Sequence, residues 1–185
     1  MKTQRLTTQT ITLIAIFVAL LAILSQIAIP LPSGVPATLQ TFGIALIAYL
    51  LQCKKGMITI FIYLFCGLVG IPVFAGFSSG LSCFFGKTGG FLYGFCFLVF
   101  FCGLGTWTNT AWKTITVSAL GLIACHICGV LQFALLMHMS ISSSFLLVSL
   151  PFLLKDALSI VGAFLLSKLI TKALAQSGIQ LHTLT

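Results

Sequence analysis

Between Ile11 and Ile29 the chain runs for nineteen residues without a charged side chain, about the length that crosses a hydrocarbon layer as a helix. Apolar runs follow at Ala37 to Cys53, Met57 to Val69 (short for a full span), Gly89 to about Gly105, Thr114 to Met137 and Phe145 to about Ile170, the last interrupted by Pro151, Lys155 and Asp156. Charged residues make up 5% of the 185, where a soluble domain carries about 25%. A water-facing surface cannot be built from that supply. The sequence therefore predicts an all-α membrane protein, a single domain over residues 1–185 with six transmembrane helices.

The basic residues orient it. With the N-terminus in the cytoplasm, Lys2, Arg5, Lys54, Lys55, Lys113, Lys168 and Lys172 fall on the inner side, seven of the nine basic residues, as the positive-inside rule requires. Both termini are then cytoplasmic, the membrane is the cytoplasmic (inner) one, and Trp107, Asn109, Trp112 and Lys113 mark its interface. The formal charge of +8 is scattered singly at the ends of apolar runs, with no basic face for nucleic acid. The first run is long for a leader and lacks a small-x-small cleavage site before Pro30, so it is expected to be a retained helix. Along it Ala15 and Ala19, with Ala22 beside them, make a smooth face, suited to docking another helix or to internal packing.

Two segments cannot be plain helices. Pro30 to Pro36 holds three prolines and a glycine in seven residues. Gly67 to Gly94 carries eight glycines and a cluster of aromatic residues between apolar runs. So many glycines imply bends, positive φ or close backbone approach. The second stretch is either one wall of a ligand pocket or a tight re-entrant connection shielded by protein. Lys54-Lys55-Gly56 reads as a sharp turn, and Ser140 to Ser144 as a polar connection. On this topology the pocket opens near the outer face.

Asp156 is the single carboxylate and sits inside an apolar run, where ionisable groups are costly and mark function by default. It either accepts hydrogen bonds from ligand N–H groups or forms a structural ion pair with Lys87, Lys155 or a hydroxyl. Lys155 points about 100° away around a helix, so pairing between the two neighbours does not follow automatically. Gln40 is a ligand donor or an interfacial polar residue, and His126 a packing residue or a ligand. Paired acid–base catalysis is excluded without a second carboxylate, and a Ser-His-Asp set would need His138. No phosphate-binding glycine loop is present, so any ATP-driven step needs a separate ATPase. Neither a cofactor nor an enzymatic activity is expected. The odd set of seven cysteines makes no disulfide framework. Cys125-His126-Ile127-Cys128 has CxxC spacing, so a membrane thiol oxidoreductase using Cys125 and Cys128 is the alternative from another class.

Several strings, in order, resemble the BioY family, the biotin-binding S components of energy-coupling factor (ECF) transporters. They are Ile29 to Pro32, Val35 to Phe42, Gly67-x-x-Gly70-Ile71-Pro72-Val73-Phe74-Ala75-Gly76, Gly86 to Phe95 and Pro151 to Asp156. The resemblance implies a six-helix fold that captures biotin near its outer face. It also implies a transmembrane coupling subunit and two cytoplasmic ATPases as partners, with the Ala15, Ala19 and Ala22 face docking the coupling subunit. Phe74, Phe77 and Tyr93 would meet the bicyclic body of biotin, with Gln40, Ser79 and Thr88 completing the candidate set. The chain departs from the family pattern at three places: Lys87 replaces a proline, Lys155 a glycine and Ser159 a lysine. That lysine is a natural partner for the biotin carboxylate, so Lys155 or Lys87 is expected to take it over while Asp156 accepts from the ureido group. The same fold for another small vitamin is the nearer alternative.

Overall fold

A computed structural model describes residues 8–108 and 110–177; Lys2, Arg5 and Asn109, which enter the topology argument, lie outside them. Among the described residues the order is α1 (Thr8–Gln26), β1 (Ala28–Ile29), β2 (Ala37–Thr38), α2 (Gln40–Leu68), a 3-10 turn (Ala75–Phe77), α3 (Leu81–Phe85), α4 (Gly89–Gly105), α5 (Ala111–Met137), α6 (Ile141–Val148) and α7 (Leu150–Gln176). By length and hydropathy α1, α2, α5 and α7 are each able to cross a membrane, and α4 is a shorter apolar helix of 17 residues. Their outer faces carry exposed leucines and isoleucines, such as Leu135, Leu154 and Leu169. A helix apolar on its outward face needs lipid or protein around it.

The element α2 is two helices. Gln52 has φ 60° and ψ −177°, and the chain reverses there. Gln40 Nε2 donates to Tyr63 Oη at 2.8 Å, whereas 23 residues of unbroken helix would hold the two about 35 Å apart. The halves lie antiparallel, with Gly56 against Ala48. The second and third apolar runs are thus separate helices, but the turn between them moves. Lys54, Lys55 and Gly56 are helical, and the reversal is the single residue Gln52.

Three further expectations are corrected. The first run stops being helical at Gln26, where β1 and β2 pair antiparallel (Ala28 with Thr38, Ile29 with Ala37) and clamp the proline-rich loop between them. Ser140 to Ser144 is largely helix: Ser140 caps α6 by accepting from the Ser143 backbone N–H at 3.2 Å. The last run is divided at Ser149, after which Pro151 occupies the first turn of α7, where a missing N–H costs nothing.

The main core joins α1, both halves of α2, α4 and α7 around Leu21, Ile44, Ile47, Tyr63, Leu98 and Ala163. A smaller cluster of Val35, Val130, Phe133, Val148 and Phe152 ties the proline-rich loop to α5, α6 and α7. Helices α4 and α5 meet through Gly90 and Gly94, four residues apart. A Cβ on Gly94 would stand 2.7 Å from Cys125 Cα, and one on Gly90 2.2 Å from the Cys128 carbonyl oxygen. Small residues at this spacing let two backbones touch where hydrophobic exclusion from water supplies no force. Gly94→Leu is therefore expected to force the pair apart. Its measure is the yield of monodisperse protein in detergent, which should collapse; Phe97→Leu, at an exposed position on the same helix, should leave it unchanged.

Candidate functional site

The two unusual segments converge on one cavity of about 360 Å³, within the range of small-ligand sites. Five short pieces of chain line it: the loop from Pro30 to Thr38, Gln40 and Thr41 at the start of α2, Phe74, Ala75 and Ser78, the start of α4, and the start of α7. From α4 and the residue before it the lining residues are Thr88, Phe91, Leu92 and Phe95; on α7 they are Phe152, Lys155 and Asp156. Both sets follow the i, i+3, i+4 spacing of one helix face. The floor is buried, with Asp156, Gln40, Phe74 and Phe152 at 5%, 6%, 3% and 4% exposure. Pro30 and Gly34 are exposed and mark the mouth.

Asp156 sits in a chain of polar contacts. Its Oδ2 is 3.3 Å from His126 Nε2, and His126 Nδ1 is 2.9 Å from Ser149 Oγ. With the carboxylate as acceptor, Nε2 carries the ring proton and the Ser149 hydroxyl donates to Nδ1. The other oxygen, Oδ1, ion-pairs with the Lys155 ammonium, which also donates to the Thr38 carbonyl at 2.7 Å. The lysine stem thus folds back across the 100° that separates neighbours on a helix. His126 is buried beside the carboxylate, in edge-to-face contact with Phe91 at 5.9 Å. His138 instead forms the exposed left-handed cap of α5, away from any triad. Ser149 completes a Ser-His-Asp sequence of contacts but is fully buried, so no substrate carbonyl can reach it.

Gln40 lies at the floor with both ends of its amide used. Oε1 accepts from Thr38 Oγ1 at 2.8 Å and Nε2 donates to Tyr63 Oη, whose proton goes to the Val73 carbonyl at 2.9 Å. One N–H of Gln40 is left for a ligand. The same carbonyl accepts from Ser25 Oγ at 2.6 Å, and Gln26 holds the next residues: Nε2 donates to the Phe74 carbonyl at 3.0 Å and Oε1 accepts from the Phe77 N–H at 2.9 Å. The end of α1 therefore braces the segment that presents Phe74. Gly67 makes room for that ring, since a Cβ there would stand 2.0 Å from Phe74 Cζ.

Of the residues named from sequence, Asp156, Lys155, Gln40, Phe74 and Thr88 line this cavity, and Ser79, Lys87 and Tyr93 do not. Ser79 is one residue beyond the lining Ser78. Tyr93 is off the α4 stripe, 42% exposed, and donates to the Phe84 carbonyl at 3.3 Å. Phe77 is 71% exposed. The aromatic walls are Phe74, Phe91, Phe95 and Phe152. The helical spacing from Thr88 could have identified Phe91 and Phe95, whereas nothing local to His126 points to Asp156. Ala15 and Ala19 are exposed on α1, and Ala22 is half-buried against the core. Cys125 is buried with its thiol 3.8 Å from the Phe91 carbonyl, and Cys128 is half-buried.

Known proteins resemble the chain in sequence and in fold. The family model described as "BioY family" matches residues 1–176. A probable biotin transporter BioY of Pyrococcus horikoshii is 34% identical over 158 residues, covering 85% of this chain and 93% of that protein. A probable biotin transporter BioY of Bacillus subtilis is 31% identical over 175 residues, covering 89% and 91%. The crystal structure of the S-component for biotin from an ECF-type ABC transporter superposes with a TM-score of 0.80 at 25% identity, over 89% of this chain and 91% of that one.

Proposed function

The chain belongs to the BioY family, and from that premise we propose that it is a biotin-capturing S component that works with an ECF module to bring the vitamin into the cell. The observation that carries the reading is the buried Asp156 at the floor of an aromatic-walled cavity, already neutralised by Lys155 and oriented by His126. Biotin has a compact bicycle with an apolar rim, which suits Phe74, Phe91, Phe95 and Phe152. Its ureido group offers N–H donors that a buried carboxylate accepts. A buried polar group left unpaired costs about 1–3 kcal/mol, so a site of this kind rejects analogues without those donors.

The rest of the molecule fits the role of a captor. Six crossings come from α1, the two halves of α2, α4, α5 and α7, with both termini in the cytoplasm and the cavity mouth on the outer side. The exposed Ala15 and Ala19 face of α1 is the surface for the transmembrane coupling subunit, and two cytoplasmic ATPases drive the delivery. The chain itself performs no catalysis. The test is accumulation of labelled biotin by cells that lack their own uptake system and express this chain with or without an ECF module. Uptake that requires both is expected. No uptake with a membrane-inserted chain and a module that serves another S component would refute the reading.

A further inference from the structure

One cation, Lys155, lines the cavity and a second, Lys87, stands beside it, and their situations differ. Lys155 is spoken for: its ammonium pairs with Asp156 and donates to the Thr38 carbonyl at 2.7 Å. Drawing it away would leave a buried carboxylate with His126 alone, the uncompensated arrangement that proteins avoid. Lys87 is exposed at the mouth. Its Nζ lies 3.6 Å from where a Cβ on the lining residue Gly34 would stand, and the next residue, Thr88, lines the cavity. Lys87 has no hydrogen bond or ion pair among the described residues.

A urea is two-faced: its N–H groups donate and its carbonyl accepts. A fixed carboxylate with an ammonium beside it is complementary to both faces at once. The acid arm of biotin leaves from the far side of the bicycle, so the carboxylate and the ureido group cannot both reach the point where Lys155 and Asp156 meet. One turn beyond Lys155 on α7, Ser159 brings no charge. We propose that Lys87 binds the carboxylate of the ligand at the mouth, while Lys155 stays paired with Asp156 and donates to the ureido oxygen. The two lysines thus divide the ligand, one for each polar end. This assignment rests on the biotin reading.

The test pairs biotin with biotin carboxamide, which replaces the carboxylate by a neutral group of nearly the same shape, and uses the purified full chain in detergent. The wild type should prefer biotin by about tenfold, the size of one charge-assisted contact. Lys87→Ala should lose about that factor for biotin and nothing for the carboxamide, so that the preference disappears; Lys87→Arg should restore it. Lys155→Met should weaken both ligands alike, with a melting curve showing that it is folded. If Lys87→Ala keeps the wild-type preference, or Lys155→Met removes it selectively, the division of roles is wrong and the biotin reading survives. If folded wild type binds neither ligand, both fall.

Discussion

Asp156→Asn is expected to abolish measurable biotin binding while the protein stays folded. The amide keeps the shape of the carboxylate and one acceptor oxygen, but it removes the charge that Lys155 faces and that the proposed site offers to the ureido N–H groups. Hydrogen bonds to a charged partner contribute about 1.5–3 kcal/mol, or roughly 10- to 100-fold in affinity each, and two are weakened together with the ion pair. A loss of at least 100-fold is expected by titration. Asp156→Ala is the harsher change. It leaves the part-exposed Lys155 ammonium without its partner beside a vacated space, at a cost below the roughly 3–5 kcal/mol of a fully buried pair because solvent screens the lysine. Both variants should melt at a lower temperature, Asp156→Asn by less, because its amide oxygen still accepts from the groups around it. Near-wild-type affinity in Asp156→Asn would show that the carboxylate serves the fold alone.

The second large effect separates capture from delivery. Ala15 and Ala19 are exposed on α1, four residues apart on one face, so tryptophan at either position meets nothing inside the chain. Ala15→Trp with Ala19→Trp is expected to abolish biotin uptake by cells that carry the ECF module. Biotin affinity of the purified chain should stay within about twofold, because the face is remote from the cavity lining. Uptake at the wild-type rate would show that the smooth face meets lipid only. Leu135→Trp, at an exposed position on α5, is the control for bulk alone.

Much of the fold is legible in the sequence because the bilayer leaves few choices. Apolar runs, basic residues at their ends and the proline-rich break locate the helices from local information. The turn inside α2 escapes such reading for a physical reason. Lys54-Lys55-Gly56 has the composition of a turn, yet Gly56 serves close packing on Ala48, and the positive φ falls on Gln52, which carries no composition cue. Helix α6 hides in a serine run because serine both caps helices and populates loops.

The site divides along the same line. Phe74, Thr88, Lys155 and Asp156 stand out through local chemistry: a glycine-framed aromatic segment and ionic groups in an apolar run. His126 and Ser149 do not. Their approach to Asp156 depends on how α5 packs on α7, and the spacing of residues 126, 149 and 156 in the chain holds no record of that. Phe77 and Tyr93 draw notice because they are aromatic and close in sequence to the glycines. The α4 stripe through Thr88, Phe91 and Phe95 selects different rings.

Isothermal titration of the purified, detergent-solubilised wild type with biotin tests the central claim most directly. One-to-one binding at submicromolar concentration, displaced by neither a urea-free analogue nor an unrelated vitamin, is the predicted result. A protein that melts cooperatively, and so is folded, but gives no heat with biotin would contradict it and remove biotin as the ligand of this cavity.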